Sequence, residues 1–197
     1  MAKTISLLIV SLIFFNTGNS QTSIKDNPDF EIITYKDLDY NAVEMIGSEW
    51  MLITAGNMES FNMMTASWGT LGWLWQMPVS TIYVRPQRFT HQFTEREDYY
   101  TLTFFEEKYK DTLRLMGTVS GKDYDKMHNS GLTPVKTENS VAFSEAYLII
   151  ECRKVYSTIL KEDDFKDKEV CDGVYPKKDF HTVYVGEIVN IWRKKKL

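Results

Sequence analysis

Six runs rich in β-branched and aromatic residues recur along the chain at short intervals, and they constrain its fold more than any other feature. They are Trp50 to Ala55, Asn62 to Trp68, Val79 to Val84, Tyr99 to Phe105, Ala142 to Leu160 and His181 to Trp192. Each is bounded by Gly, Pro, Asn or Asp, the residues that turn a chain or cannot serve a strand ladder. The fifth run is expected to be bent or broken. Gly186 lies inside the sixth and predicts a β-bulge. Three helices fit between the strands. Pro86 suits a first helical turn, with Phe89 to Glu95 following it. Lys108 to Met116 places Tyr109, Leu113 and Met116 on one face through i, i+4, i+7 spacing. A third begins with Ser120 as N-cap and Asp123 three residues on, and ends before Gly131, with Pro134 beyond. Many antiparallel strands with a few short peripheral helices predict a mainly β fold, a barrel with helical insertions.

The first residues read as an address rather than as structure. Lys3 precedes an apolar run, Ile5 to Phe15, followed by small and polar residues ending in Gly18-Asn19-Ser20. That is the charged, apolar and small-residue pattern of a secretory signal over residues 1–20, with cleavage expected between Ser20 and Gln21. The run falls short of the roughly 20 apolar residues of a membrane span, so no stable span is expected after cleavage. The mature chain is expected to be periplasmic or secreted. Residues 21–40 are polar and read as an extended lead-in, and residues 41–197 as one domain.

A formal net charge of -4 argues against general nucleic-acid binding, and the basic tail from Arg193 to Lys196 is short enough to be a solvated terminus. The two cysteines, Cys152 and Cys171, either pair in an oxidising compartment, contributing roughly 3 kcal/mol, or stay apart as small buried hydrophobes. Their spacing carries no metal signature.

The run from Asn62 to His91 is where chemistry concentrates. Arg85 closes a strand, Pro86 stops it, and Arg88 returns within one turn. Arginine grips a phosphate through two parallel hydrogen bonds. The following helix start adds backbone N–H groups with partial positive charge, and Thr90 and His91 add further donors. Upstream, the small residues Thr65, Ala66 and Ser67 let a backbone approach a flat ligand closely, with Trp68, Trp73 and Trp75 available to shield it. The plainer alternatives are an exposed basic turn and an aromatic core or subunit interface. His91, His128 and His181 lie far apart in sequence and form no grouping with a nucleophile or metal pair. A lone histidine such as His181 fits a structural role as well as a catalytic one.

Five blocks then carry a resemblance over most of the mature chain, from about residue 48 to 191. They are Asn62 to Trp68, Val84 to His91, Tyr100 to Phe105, Gly117 to Lys126 and Asp179 to Glu187. In this order they resemble the flavin-reductase-like, FMN-binding split-barrel family, and within it the flavoredoxin branch. The resemblance implies a split β-barrel with a few short peripheral helices, forming a homodimer with FMN near the subunit interface. It implies ring contacts from Thr65, Ala66, Ser67 and Trp68, largely through backbone. It places Arg85, Arg88, Thr90 and His91 at the phosphate and ribityl groups. Thr103 stands where many relatives carry Asn near the ring. Ser120, Gly121, Lys122 and Lys126 belong to a segment that would close over the flavin. The activity implied is electron transfer through bound FMN, with a non-catalytic flavin- or ligand-binding barrel as the alternative. The redox donor and acceptor are open, because an exported member need not meet NAD(P)H.

Overall fold

The computed structural model describes residues 22–195. The expected signal over residues 1–20 and the end of the basic tail lie outside them.

In chain order the strands are β1 (Phe30–Ile33), β2 (Met51–Asn57), β3 (Ser60–Ala66), β4 (Gly69–Leu74), β5 (Met77–Val84), β6 (Tyr99–Phe104), β7 (Pro134–Lys136), β8 (Val141–Phe143), β9 (Leu148–Ile159) and β10 (Thr182–Lys194). The helices are α1 (Ala42–Glu44), which runs into a π turn, α2 (Phe89–Arg96), α3 (Lys110–Thr118), α4 (Lys126–Ser130) and α5 (Lys168–Val174). One antiparallel sheet has the order β3-β2-β6-β9-β10-β5-β4. β10 is long enough to pair β5 through Thr182–Glu187 and then β1 through Ile191–Lys194, while β9 lies along its other edge. β7 and β8 form a separate hairpin.

The sheet closes on itself because its central strands bury both faces over much of their length. Met51, Ile53 and Ala55 of β2 point into one core together with Met64 of β3, Ile82 and Val84 of β5, and Ile150 and Cys152 of β9. Strands from opposite ends of the sheet meet there, so it curls into a barrel. The alternate residues Leu52, Met63, Ile149 and Trp192 form a second core beneath α3, packed with Leu113, Met116 and Phe143. Period-two alternation between two cores explains why these strands read as continuous apolar runs. β3 and β4 end the sheet order without pairing with each other, and Ser67 and Trp68 link them. The barrel is split at that seam.

Gly186 sits at a register shift between β10 and β9. A Cβ there would lie 2.4 Å from the Tyr100 hydroxyl and 2.9 Å from Cys152 Cβ, so the bulge admits only glycine without repacking. The fifth predicted run is broken into β8 and β9 by a turn at Ser144–Tyr147. Pro86 belongs to a turn before α2, whose N-cap is Arg88, and not to its first turn. The third predicted helix starts later than expected. Its N-cap is Asp125, which accepts from His128 N at 3.0 Å, while residues 121–123 form a turn after Ser120. Helix α4 is stopped by Gly131 in the left-handed region, φ 66°.

Residues 22–40 are integrated into the fold. β1 pairs β10, and Ile24 and Phe30 are buried in the second core. Arg193 is likewise no solvated tail, since it holds Glu31 through Nε at 3.0 Å and Nη2 at 2.8 Å. Cys152 and Cys171 are both free and buried. No helix among the described residues is long and apolar enough to cross a membrane.

Candidate functional site

A groove runs beside the barrel seam, and Thr65 to Trp68 meet Arg85 and Arg88 in it. The backbone of Arg88 donates to Arg85 O at 3.0 Å, closing a turn with Pro86 in its second position. That turn brings both arginines to the groove, Arg88 at the border of its two parts and Arg85 in the second alone.

The first part is a recess of about 120 Å³ lined by Asn62, Arg88, Thr90, Ser120, Gly121 and Lys126 among others, with no carboxylate. Its back wall is fixed. Asn62 Nδ2 donates to Thr90 Oγ1 at 2.7 Å, and both residues are buried. A Cβ at Gly121 would come within 2.1 Å of Asn62 Oδ1 and 3.2 Å of the Phe89 ring, so glycine creates the recess. Lys126 is only 6% exposed. Its Nζ donates to Met63 O and Met116 O, each at 2.8 Å, which leaves one N–H uncommitted. Burial, followed by the positive charge of Arg88, pulls its pKa down from 10.5 to about 8. Arg88 is exposed and donates to Gly117 O at 2.9 Å. Two cations facing one cavity without a counter-ion form a receptor for a small anion.

The second part is a slot of about 260 Å³ that shares Met64 and Arg88 with the recess. Thr65, Ala66, Ser67, Trp68, Tyr83, Arg85 and His181 line it. Trp68 is 48% exposed, and its ring lies 5.2 Å from that of His181. Arg85 is not free here. It pairs with Asp179, donates to Val174 O at 2.9 Å and lies 5.1 Å over the Tyr175 ring. Asp179 also accepts from Gln87 Nε2 at 2.5 Å. His181 is buried, with Nδ1 2.7 Å from the Tyr175 hydroxyl. Burial first, and then the nearby Arg85, push its pKa down to about 4, so the imidazole is neutral at pH 7. The slot therefore has aromatic walls, a neutral histidine, Arg85 with its charge locally balanced, and Arg88 where it borders the recess.

Most of the residues expected from sequence come together in this groove, but several do not. Thr103 is 0% exposed and lies in the sheet between Leu52 and Ile149, with no partner for its hydroxyl among the described residues. Its neighbours Leu102 and Phe104 point into the barrel, so alternation turns Thr103 to the other face and away from the groove. His91 also lies outside. Its Nε2 is 2.9 Å from Thr182 Oγ1, and its ring packs near Tyr184. Lys122 is exposed and lines an adjoining depression. Trp73 and Trp75 stand at the tip of the β4–β5 hairpin beside Tyr35 and Tyr156 and shield neither cavity. Sequence reasoning missed Asn62, Tyr83 and His181 as lining residues. A polar Asn inside an apolar strand was the one available signal for Asn62.

These donors fit a phosphate ester joined to a flat ring. The fit rests on the carboxylate-free recess and the spare N–H of a buried lysine, opening directly onto a slot with aromatic walls. A split antiparallel barrel with such a groove defines a class of ligand-binding barrels. Residues 44–197 match the flavin reductase like domain, and the chain belongs to that family.

Solved structures agree on the fold. Flavoredoxin of Desulfovibrio vulgaris (Miyazaki F) superposes with a TM-score of 0.58 at 20% identity, covering 75% of this chain and 69% of that one. The FMN-binding domain of a flavin reductases-like enzyme from Shewanella baltica OS155 gives 0.60 at 13% identity, covering 84% and 77%. The NADH:FAD oxidoreductase SgcE6 of Streptomyces globisporus C-1027 gives 0.54 at 18% identity, covering 74% of each chain. No match was found among curated proteins.

Proposed function

We propose that this chain is an exported FMN-binding flavoprotein, a homodimer that passes electrons through its bound flavin. The observation that carries the reading is the recess around Lys126 and Arg88, two cations without a carboxylate, continuous with the slot at Ser67 and Trp68. A recess of that size suits one phosphate, which favours FMN over a dinucleotide flavin. When bound, the flavin supplies the hydride or electron chemistry. The chain's own residues bind and orient it. Arg88 and Lys126 hold the phosphate, with Thr90 and Ser120 beside them. Ala66 and Ser67 line the slot where the ring would lie, and Trp68 and His181 cover it from water. No side chain is needed as a general acid.

The homodimer is supported by the exposed hairpin tip, where Trp73, Leu74 and Trp75 form an apolar patch larger than scattered surface residues make. Export is supported by the charged, apolar and small-residue pattern of residues 1–20. The donor is a reduced nicotinamide or a partner redox protein.

The purified protein is expected to be yellow, or to take up added FMN in preference to FAD. A colourless protein that takes up neither sinks the reading. Anaerobic mixing with NADH and NADPH then identifies the donor. Bleaching at a catalytic rate marks a reductase, and no bleaching marks a partner-fed carrier or a binding protein. Sedimentation tests the dimer, and N-terminal sequencing of the secreted or periplasmic fraction tests cleavage before Gln21.

A further inference from the structure

A third cavity of about 320 Å³ opens from the aromatic-walled slot, sharing Trp68 and Tyr83 with it. Its remaining wall comes from the segment between β9 and β10, chiefly Leu160, Phe165, Val170 and Val174. None of its lining residues is charged. We propose that this cavity binds a small, neutral, planar aromatic ring compound, seated against the edge of the slot. Its placement beside a flavin rests on the function proposed above; the binding itself rests on the cavity alone.

Three observations support a ligand site over a loosely packed surface. First, the wall is fixed. Asp167 caps α5 by accepting from Val170 N at 3.1 Å, and Lys178 pairs with Glu162 across the base of the segment. Phe165 and Tyr175 in the wall pack against each other and against Phe180, with ring centroids 4.8 to 6.2 Å apart. Second, Val170 is part of this wall and is left 50% exposed, an apolar side chain that the chain's own described residues do not cover. Third, a volume of 320 Å³ lies at the small end of the roughly 300 to 1,000 Å³ of ligand pockets.

The chemistry of the wall selects the ligand class. A nicotinamide dinucleotide brings a pyrophosphate, which needs arginine, lysine or backbone donors. No lysine or arginine lines the cavity. An anionic ring compound would lose its hydration against apolar walls and gain no counter-charge. A neutral ring loses little and gains aromatic contact with Trp68, Tyr83 and Phe165. The Tyr175 hydroxyl is already engaged by His181 at 2.7 Å, so the pair forms a polar margin between cavity and slot.

The test uses isothermal titration of the full purified protein with menadione and with its sulfonate, with and without FMN. The native protein is expected to bind menadione at least about tenfold more tightly than the sulfonate. Val170→Asp brings a charge to the wall and Val170→Phe fills the space. Each is expected to weaken menadione about tenfold and leave FMN affinity unchanged. Circular dichroism and a melting curve verify that both variants fold. Equal affinity for menadione and its sulfonate overturns the proposal, as does menadione binding that neither variant alters. If Val170→Asp splits a dimer while menadione binding persists, a second copy of the chain covers the cavity and the proposal falls. Menadione binding that depends on Val170 in a protein unable to take up FMN upholds the cavity and removes the flavin reading instead.

Discussion

Replacing Arg88 by Ala separates the two ends of the proposed cofactor site. Arg88 is exposed and makes one hydrogen bond, to Gly117 O at 2.9 Å, so its loss costs the fold about 1 kcal/mol or less. In the recess its charge faces a phosphate. A hydrogen bond to a charged group is worth about 1.5 to 3 kcal/mol, or about 10- to 150-fold in affinity. Part of that is returned, because Arg88 is one of the two causes holding the Lys126 pKa down, and its removal lets Lys126 hold its proton more firmly. The expected loss for FMN is therefore nearer tenfold, with riboflavin, which lacks the phosphate, changing less than about threefold. Titration by flavin fluorescence at pH 7 measures both, and a melting curve shows that the fold is intact. Arg85→Ala is the contrast. Arg85 lines the slot and is held by Asp179, so it should weaken FMN and riboflavin alike. Equal losses for both ligands in Arg88→Ala, with a larger FMN-specific loss in Arg85→Ala, would refute this division of the groove.

Further outcomes follow from the same geometry. Lys126 has a folded pKa of about 8 against 10.5 when unfolded, so its charge opposes folding below pH 8 and that cost fades between pH 8 and 10.5. Phosphate binding runs the other way. FMN affinity is expected to fall as pH rises past about 8 while riboflavin affinity stays flat, and Lys126→Met should abolish the difference. Gly121→Ala drives a Cβ into Asn62 Oδ1, 2.1 Å away, and overpacking of this kind costs about 1 to 3 kcal/mol. It should lower the melting temperature and weaken FMN, and an unchanged variant would show that the recess wall is not rigid. Cys152 is buried beside Ser80, and burial pushes its pKa up to about 12. Native protein should leave a thiol reagent unreacted and denatured protein should show both thiols, whereas none after denaturation would reveal a disulfide.

The predicted strands were legible because they bury both faces over at least part of their length, which writes an apolar run with turn residues at its ends. β4 was not, because Gly69, Gly72 and the exposed Trp73 give it no buried pattern. Its turn is equally hidden: Trp75 and Gln76 both adopt positive φ, 49° and 62°, in positions where Asn and Gly usually signal a hairpin. α5 escaped because only Cys171 among its residues is buried.

At the site, Thr65 to Trp68 and Arg88 could be read from local residue types. The state of Arg85 could not, since its carboxylate partner lies 94 residues further along the chain. His181 gained its place in the groove from packing against Trp68 and Tyr83, far from it in sequence, and its neutrality from burial and the charge of Arg85. Thr103 shows the converse. A one-residue phase in a strand decides which face a side chain sees, and a motif match does not report that phase.

The most direct measurement is a crystal structure of the protein soaked with FMN. The account predicts the phosphate within hydrogen-bond reach of Arg88 and Lys126, the ring in the slot against Ser67 and Trp68, and Arg85 still paired with Asp179. A phosphate bound to Arg85 with Lys126 uninvolved, or a flavin seated anywhere else, would contradict it.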